Sequence, residues 1–161
     1  MRRPVSATIF AITLVVATVA LSAGFSVASE TLIVGGYDKA EMAAATQRAQ
    51  AEVDDFIADL HARRSQNYAV KAPIEHNGNV EHFWLVDVSY ANGRFTGRIN
   101  NDPGIVSNVK LGQRYSLGKD EISDWMFIRD RKLHGNYTMR PLLVTMPKHQ
   151  ADQFRAMFAK P

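Results

Sequence analysis

A hydrolytic site needs a base with a pKa near neutral, a nucleophile or activated water, and a partner for negative charge. The chain carries each type: His82 as base, Glu81 or Asp124 to orient it, Ser123 as the hydroxyl, and Arg140 to hold an anionic group. A site that binds without reacting would draw instead on Glu81, Trp84, Asn101, Trp125 and Tyr137, which combine polar contacts with aromatic surface. None of these residues stands at the fixed spacing of a nucleophile elbow or a phosphate loop. Glu81 and His82 are adjacent on a strand, so their side chains point to opposite faces and cannot serve one site together. Asn100 and Asn101 suit side-chain to backbone bonds in a turn. Asp124 enters the apolar run Trp125 to Ile128, where a carboxylate can accept backbone N–H bonds or pair with Arg140. The balance favours scaffolding over catalysis. His61, His76, His82, His134 and His149 show no pair at ligand spacing, so the expectation is no metal, and no cofactor motif is present.

The elements that must position these residues follow from periodicity. Asp38 caps a helix in which Met42, Ala45, Ala49, Val53, Phe56, Ile57 and Leu60 recur at helical spacing, ending near Arg64. Tyr68, Val70 and Ile74 read as a strand, and His76 to Asn79 (HNGN) as a turn. In EHFWLVDVSYANGRFTGRIN, Asn92-Gly93 supplies a two-residue type I′ turn. The implied register sets Tyr90 against Phe95, Val88 against Gly97, Val86 against Ile99 and Trp84 against Asn101 on an apolar face. Ser89 against Thr96 and Asp87 against Arg98 occupy the polar face. Ile105 to Lys110 reads as a short helical turn, Gln113 to Leu117 as a strand, and Trp125 to Ile128 as another. That strand turns around Asp130 to Lys132 and returns through Tyr137 to Met146, with Pro141 placing the return at an edge or a bulge. Lys148 to Lys160 forms a final helix with Phe154, Met157 and Phe158 on one face.

Residues 1–28 read as a secretory signal: Arg2 and Arg3 precede an uncharged run from Ala7 to Ala28 that ends in small residues. The run approaches the roughly 20 residues that span a bilayer, so an uncleaved anchor through residues 7–28 is the alternative. Either route exports the remainder to the periplasm or beyond, with the inner membrane as the site of any anchor. The 19 basic residues less Arg2 and Arg3 face 16 acidic ones, a net charge of only +1. No basic run survives to argue for nucleic acid. The absence of cysteine excludes disulfides, thiolate metal sites and a thiol nucleophile. About 130 residues suffice for one core. The expected organisation is therefore a segment and helix at 29–66 and a sheet region at 67–161, folded together as one α+β domain. Its helix packs on an antiparallel sheet of five or six strands, with a short C-terminal helix.

The succession EHFWLVDV, GRFTGRINNDP, ISDWMFI and GNYTMR resembles the YegJ-like bacterial family, domain of unknown function 2314. The likeness covers roughly residues 67–143, and Arg131 stands where the family pattern has a glycine. The resemblance implies the fold and no particular chemistry. Three functional readings follow. The first is a non-catalytic exported domain binding a protein or small ligand at the envelope. The second is an envelope hydrolase using His82, Asp124 and Arg140. The third is an inhibitor or immunity-like protein.

Overall fold

The computed structural model describes residues 36–160 throughout and the strands β1 (Phe10–Leu14) and β2 (Thr31–Ile33) by their backbone. The rest of the expected signal lies outside the described residues. Among the described residues no helix is long and apolar enough to cross a membrane.

Asp38 caps α1 (Lys39–Ala51), its Oδ1 accepting from the N–H groups of Ala40 at 2.7 Å and Glu41 at 3.0 Å. The single helix expected as far as Arg64 is interrupted at Glu52, where the backbone leaves helical geometry before α2 (Val53–Ala62) begins. The two segments have different partners, which accounts for the break. In α1 only Ala49 is buried, and Met42 packs with Met139 and Leu142 rather than over the sheet. In α2 Val53, Phe56 and Ile57 enter the main core. Arg63, in the left-handed region at φ 50°, ends α2.

Six antiparallel strands follow: β3 (Gln66–His76), β4 (Asn79–Ala91), β5 (Arg94–Ile99), β6 (Arg114–Gly118), β7 (Asp124–Arg129) and β8 (Lys132–Gly135). Their order across the sheet is β6-β5-β4-β3-β7-β8. β1 runs parallel to Val80–His82 of β4, and β2 pairs with β1. The architecture is α+β, with Ala49 of α1 and Val53, Phe56 and Ile57 of α2 packed into the core formed with the sheet. Phe56 sits at the centre of the core, its ring 5.3 Å from Trp125 and 5.9 Å from both Tyr68 and Phe95. Aromatic pairs at such separations contribute roughly 0.5–1.5 kcal/mol each beyond their area burial.

The β4–β5 hairpin turns at Asn92 and Gly93, both at positive φ, and Tyr90 faces Phe95 with their rings 4.7 Å apart. The expected register holds from Ala91 to Ser89 and then shifts. Beyond a bulge at Asp87, itself at φ 52°, Val86 opposes Arg98 and Leu85 opposes Ile99. The extra residue inverts the facing of everything upstream. Phe83 and Leu85 therefore enter the core, while Trp84 passes to the reverse face, a correction to the expected pairings of Val86 with Ile99 and Trp84 with Asn101. Gly97 permits the close approach at this point, since a Cβ there would lie 2.8 Å from the Val86 carbonyl oxygen. Asp87 and Arg98 still form an ion pair through the bulge.

Two further expectations are corrected. Ile105 to Lys110 is not helical; it is an irregular loop whose leading N–H groups donate to the Glu81 carboxylate. The returning strand is only Lys132–Gly135. Asn136, at φ 50°, turns the chain into 3-10 turns at Tyr137–Met139 and Pro141–Thr145. Pro141 cannot donate to a ladder, and the N–H groups of Tyr137 and Thr138 bond to Asp124, so this segment has no continuing strand pairing. α3 (Lys148–Met157) then packs Ala151 and Phe154 against Met139, Leu142 and Leu143.

Candidate functional site

Asp124 is fully buried at the entrance to β7. Its Oδ1 accepts from the N–H groups of Trp125 (2.8 Å) and Tyr137 (3.1 Å), and its Oδ2 accepts from the Thr138 N–H (2.8 Å) and hydroxyl (2.6 Å). One carboxylate thus ties the 3-10 turn to the sheet. Burial pushes its pKa up, against the downward pull of Lys71 and the Thr138 bonds. Arg140 is not its ion-pair partner. The cation beside Asp124 is Lys71, opposite it on β3, whose Nζ donates to the Thr138 hydroxyl at 2.5 Å and lies 4.5 Å from the Trp84 ring centroid. Burial draws the Lys71 ammonium down to about 8.

The bulge in β4 gives this reverse face its membership. With Trp84 turned over, His82 follows onto the same side, and its Nδ1 lies 2.8 Å from the Ser123 hydroxyl oxygen. Ser123 in turn donates to the Lys71 carbonyl. Three of the residues considered for hydrolysis, His82, Ser123 and Asp124, therefore gather around Lys71. Burial, followed by the nearby Lys71 charge, drives the His82 imidazole down to about 3. Such a ring is neutral at pH 7 and a poor proton acceptor. Lys71 is the member that sequence reasoning missed. Its signal was a lone lysine in the apolar strand YAVKAPI, readable as a solvated position until the turn at Tyr137–Met139 is seen to cover Asp124.

Glu81 points to the other face, where it is fully buried and accepts from the N–H groups of Gly104, Ile105 and Val106 at 2.9–3.2 Å. It organises the loop after β5. Asn101 is also fully buried; its Oδ1 accepts from the Trp84 N–H at 3.3 Å, and its Nδ2 has no hydrogen-bond partner among the described residues. Trp125 belongs to the core and donates its indole N–H to the Ala49 carbonyl at 2.9 Å.

Tyr137 and Arg140 lie elsewhere, on a groove of about 550 Å³ between the edge of β8, the 3-10 turns and the chain leaving α3. Phe158 departs from the helix in extended conformation and bridges Leu133, with Ala159 donating to the Leu133 carbonyl at 2.9 Å. Arg48, Arg140, Arg155 and Lys160 supply positive charge to the lining, and among the described residues no carboxylate contributes to it. Arg48 is paired with Glu52 at 2.8 Å, and Arg155 with Asp152 at 2.8 Å. Arg140 differs: among the described residues it meets no carboxylate within ion-pair distance. It donates one hydrogen bond, from Nη1 to the Gly135 carbonyl at 3.0 Å, and its Cζ lies 4.9 Å from the Tyr137 ring centroid and 4.6 Å from that of Phe158. Burial pulls its pKa below the ordinary arginine value. Tyr137 donates its hydroxyl to Glu52, and burial followed by that carboxylate pushes the phenol upward. Arg48 approaches the same ring, 4.6 Å from its centroid. Leu143, Val144 and Phe158 complete the groove as its apolar part, with Val144 70% exposed.

Residues 39–159 match the model of DUF2314, described as an uncharacterized protein conserved in bacteria. The uncharacterized protein YegJ of Escherichia coli (strain K12) is 51% identical over 139 residues, covering 86% of this chain and 91% of that protein. A putative ankyrin repeat protein of Neisseria meningitidis serogroup B is 30% identical over 91 residues, 54% of this chain and 36% of that protein. No solved structure matches the chain significantly. With nearly all of its folded part matched by the family model, the chain belongs to the DUF2314 family.

Proposed function

We propose that this chain is an exported, non-catalytic domain of the bacterial envelope that binds an anion-bearing ligand in the groove beside Arg140. The observation that carries this reading is a half-buried guanidinium held by two aromatic rings and one carbonyl, with no carboxylate within ion-pair distance among the described residues; Glu52 and Asp124 act on it only from farther away. Arginine in such a setting retains donors suited to carboxylate or phosphate oxygens. The groove's volume falls within the roughly 300–1,000 Å³ usual for small-ligand sites. The cluster best equipped for hydrolysis, around His82 and Ser123, is buried, and its histidine is a poor base at neutral pH. The apolar run of residues 7–28 behind Arg2 and Arg3 supports export.

Thermal-shift titration of wild type and Arg140→Gln with small organic and inorganic anions tests the reading. A ligand at about 100 times its Kd stabilises the wild type by about 2.7 kcal/mol, and Arg140→Gln loses this response. If no anion stabilises the wild type, the binding reading fails. Turnover of ester substrates that vanishes in Ser123→Ala would establish the hydrolase instead.

A further inference from the structure

Resting on that reading of the groove, we infer that its ligand is a monocarboxylate carried on an apolar body. The charge count argues for a single anionic group. Arg48 and Arg155 already pair with Glu52 and Asp152, which leaves Arg140 as the half-buried cation with no carboxylate within ion-pair distance among the described residues, and Lys160 as an exposed one. A multiply charged phosphate group would find one committed fork and no second cation free of a carboxylate beside it within the buried wall. The Arg140 side chain has little freedom, since Tyr137, Phe158 and the Gly135 carbonyl all hold it, so a planar carboxylate meets a fork that is already oriented.

The remainder of the lining argues for the apolar body. Leu133, Leu143, Val144 and Phe158 line the groove with the guanidinium, and Val144 is one of only two large apolar side chains that stand exposed among the described residues. A simple inorganic anion leaves that surface wet. A carboxylate with a hydrocarbon or aromatic body covers it, at roughly 25 cal/mol per Å² of apolar area removed from water. The same chemistry is offered by a fatty carboxylate and by a peptide C-terminus ending in an apolar residue.

Calorimetric titrations of the purified chain with decanoate, decyl phosphate, decanol, acetate, and acetyl-Leu-Phe as free acid and as amide decide the matter. Decanoate or the peptide acid is expected to bind at least 100-fold more tightly than acetate and tenfold more tightly than decanol or the peptide amide. Arg140→Lys, which keeps the charge and loses the fork, should weaken carboxylate binding about tenfold. The exposed substitution Val144→Asp should do the same without threatening the fold. A preference for decanoate identifies a lipid-like source, and a preference for the peptide acid identifies a chain terminus; both support the inference. Arg140-dependent binding of decyl phosphate without carboxylate binding overturns it and leaves the anion groove standing. Absence of any Arg140-dependent binding removes both.

Discussion

Asp124 shows how much one buried side chain can organise. It satisfies three backbone N–H groups and a hydroxyl, and it balances Lys71 across the strand pair. Asp124→Ala leaves four donors without acceptors and a buried ammonium without its counter-charge, so it should cost about 3–5 kcal/mol in urea denaturation. Lys71→Met should cost less, because the carboxylate keeps its four donors. The two basic side chains of this cluster, His82 and Lys71, also make stability depend on pH. His82 titrates near 3 in the folded chain against an ordinary value of 6.5, so the unfolded chain binds more protons between those limits. Stability therefore falls as pH drops from about 6.5 to 3, by several kcal/mol from this residue, partly opposed by the raised Asp124 carboxyl. His82→Gln should flatten that slope in acid denaturation. Lys71 is depressed to about 8 from 10.5, so stability should rise with pH across that interval and Lys71→Met should abolish the rise.

At the level of elements, the 3-10 turns and the loop after β5 are held by side chains in place of ladders. Glu81 takes three successive N–H groups at Gly104, Ile105 and Val106. Glu81→Ala should speed hydrogen exchange at these amides far more than at the β4–β5 hairpin, with a stability loss on the order of 3 kcal/mol. Gly135 is a tightly packed turn point beside the groove. It adopts φ 71°, and a Cβ there would fall 2.2 Å from the Trp125 carbonyl oxygen and 2.5 Å from the Trp125 ring. Gly135→Ala should therefore destabilise by about 3 kcal/mol or more in thermal unfolding. Because the Gly135 carbonyl accepts from Arg140, the substitution should also weaken anion binding in the groove. The bulge at Asp87 was not legible because hairpin register propagates from a turn only while each residue has one partner. Gly97, the small residue opposite, was its one local sign.

For the whole molecule, export is tested by the intact mass of the chain recovered from cells: removal after Ala28 leaves Ser29 first, whereas retention of residues 1–28 identifies an anchor. The α+β class, the capped first helix and the Asn92-Gly93 hairpin were all readable from the chain, because periodicity, turn chemistry and caps act among neighbouring residues; the second apolar cluster around Met139, Leu142 and Phe154 was not. Asp124 was readable as a backbone acceptor for the same reason, since its role begins with the N–H of the next residue. The Lys71 counter-charge, the inverted face of Trp84 and His82, and the groove around Arg140 were not. Each joins residues from strands, turns and helix ends remote in sequence: Lys71 lies on β3, Asp124 on β7, and Arg140 meets Phe158 only after α3 returns to β8. Local pattern can say that an arginine follows a turn; only the closed chain leaves that arginine half-buried with no carboxylate within ion-pair distance among the described residues.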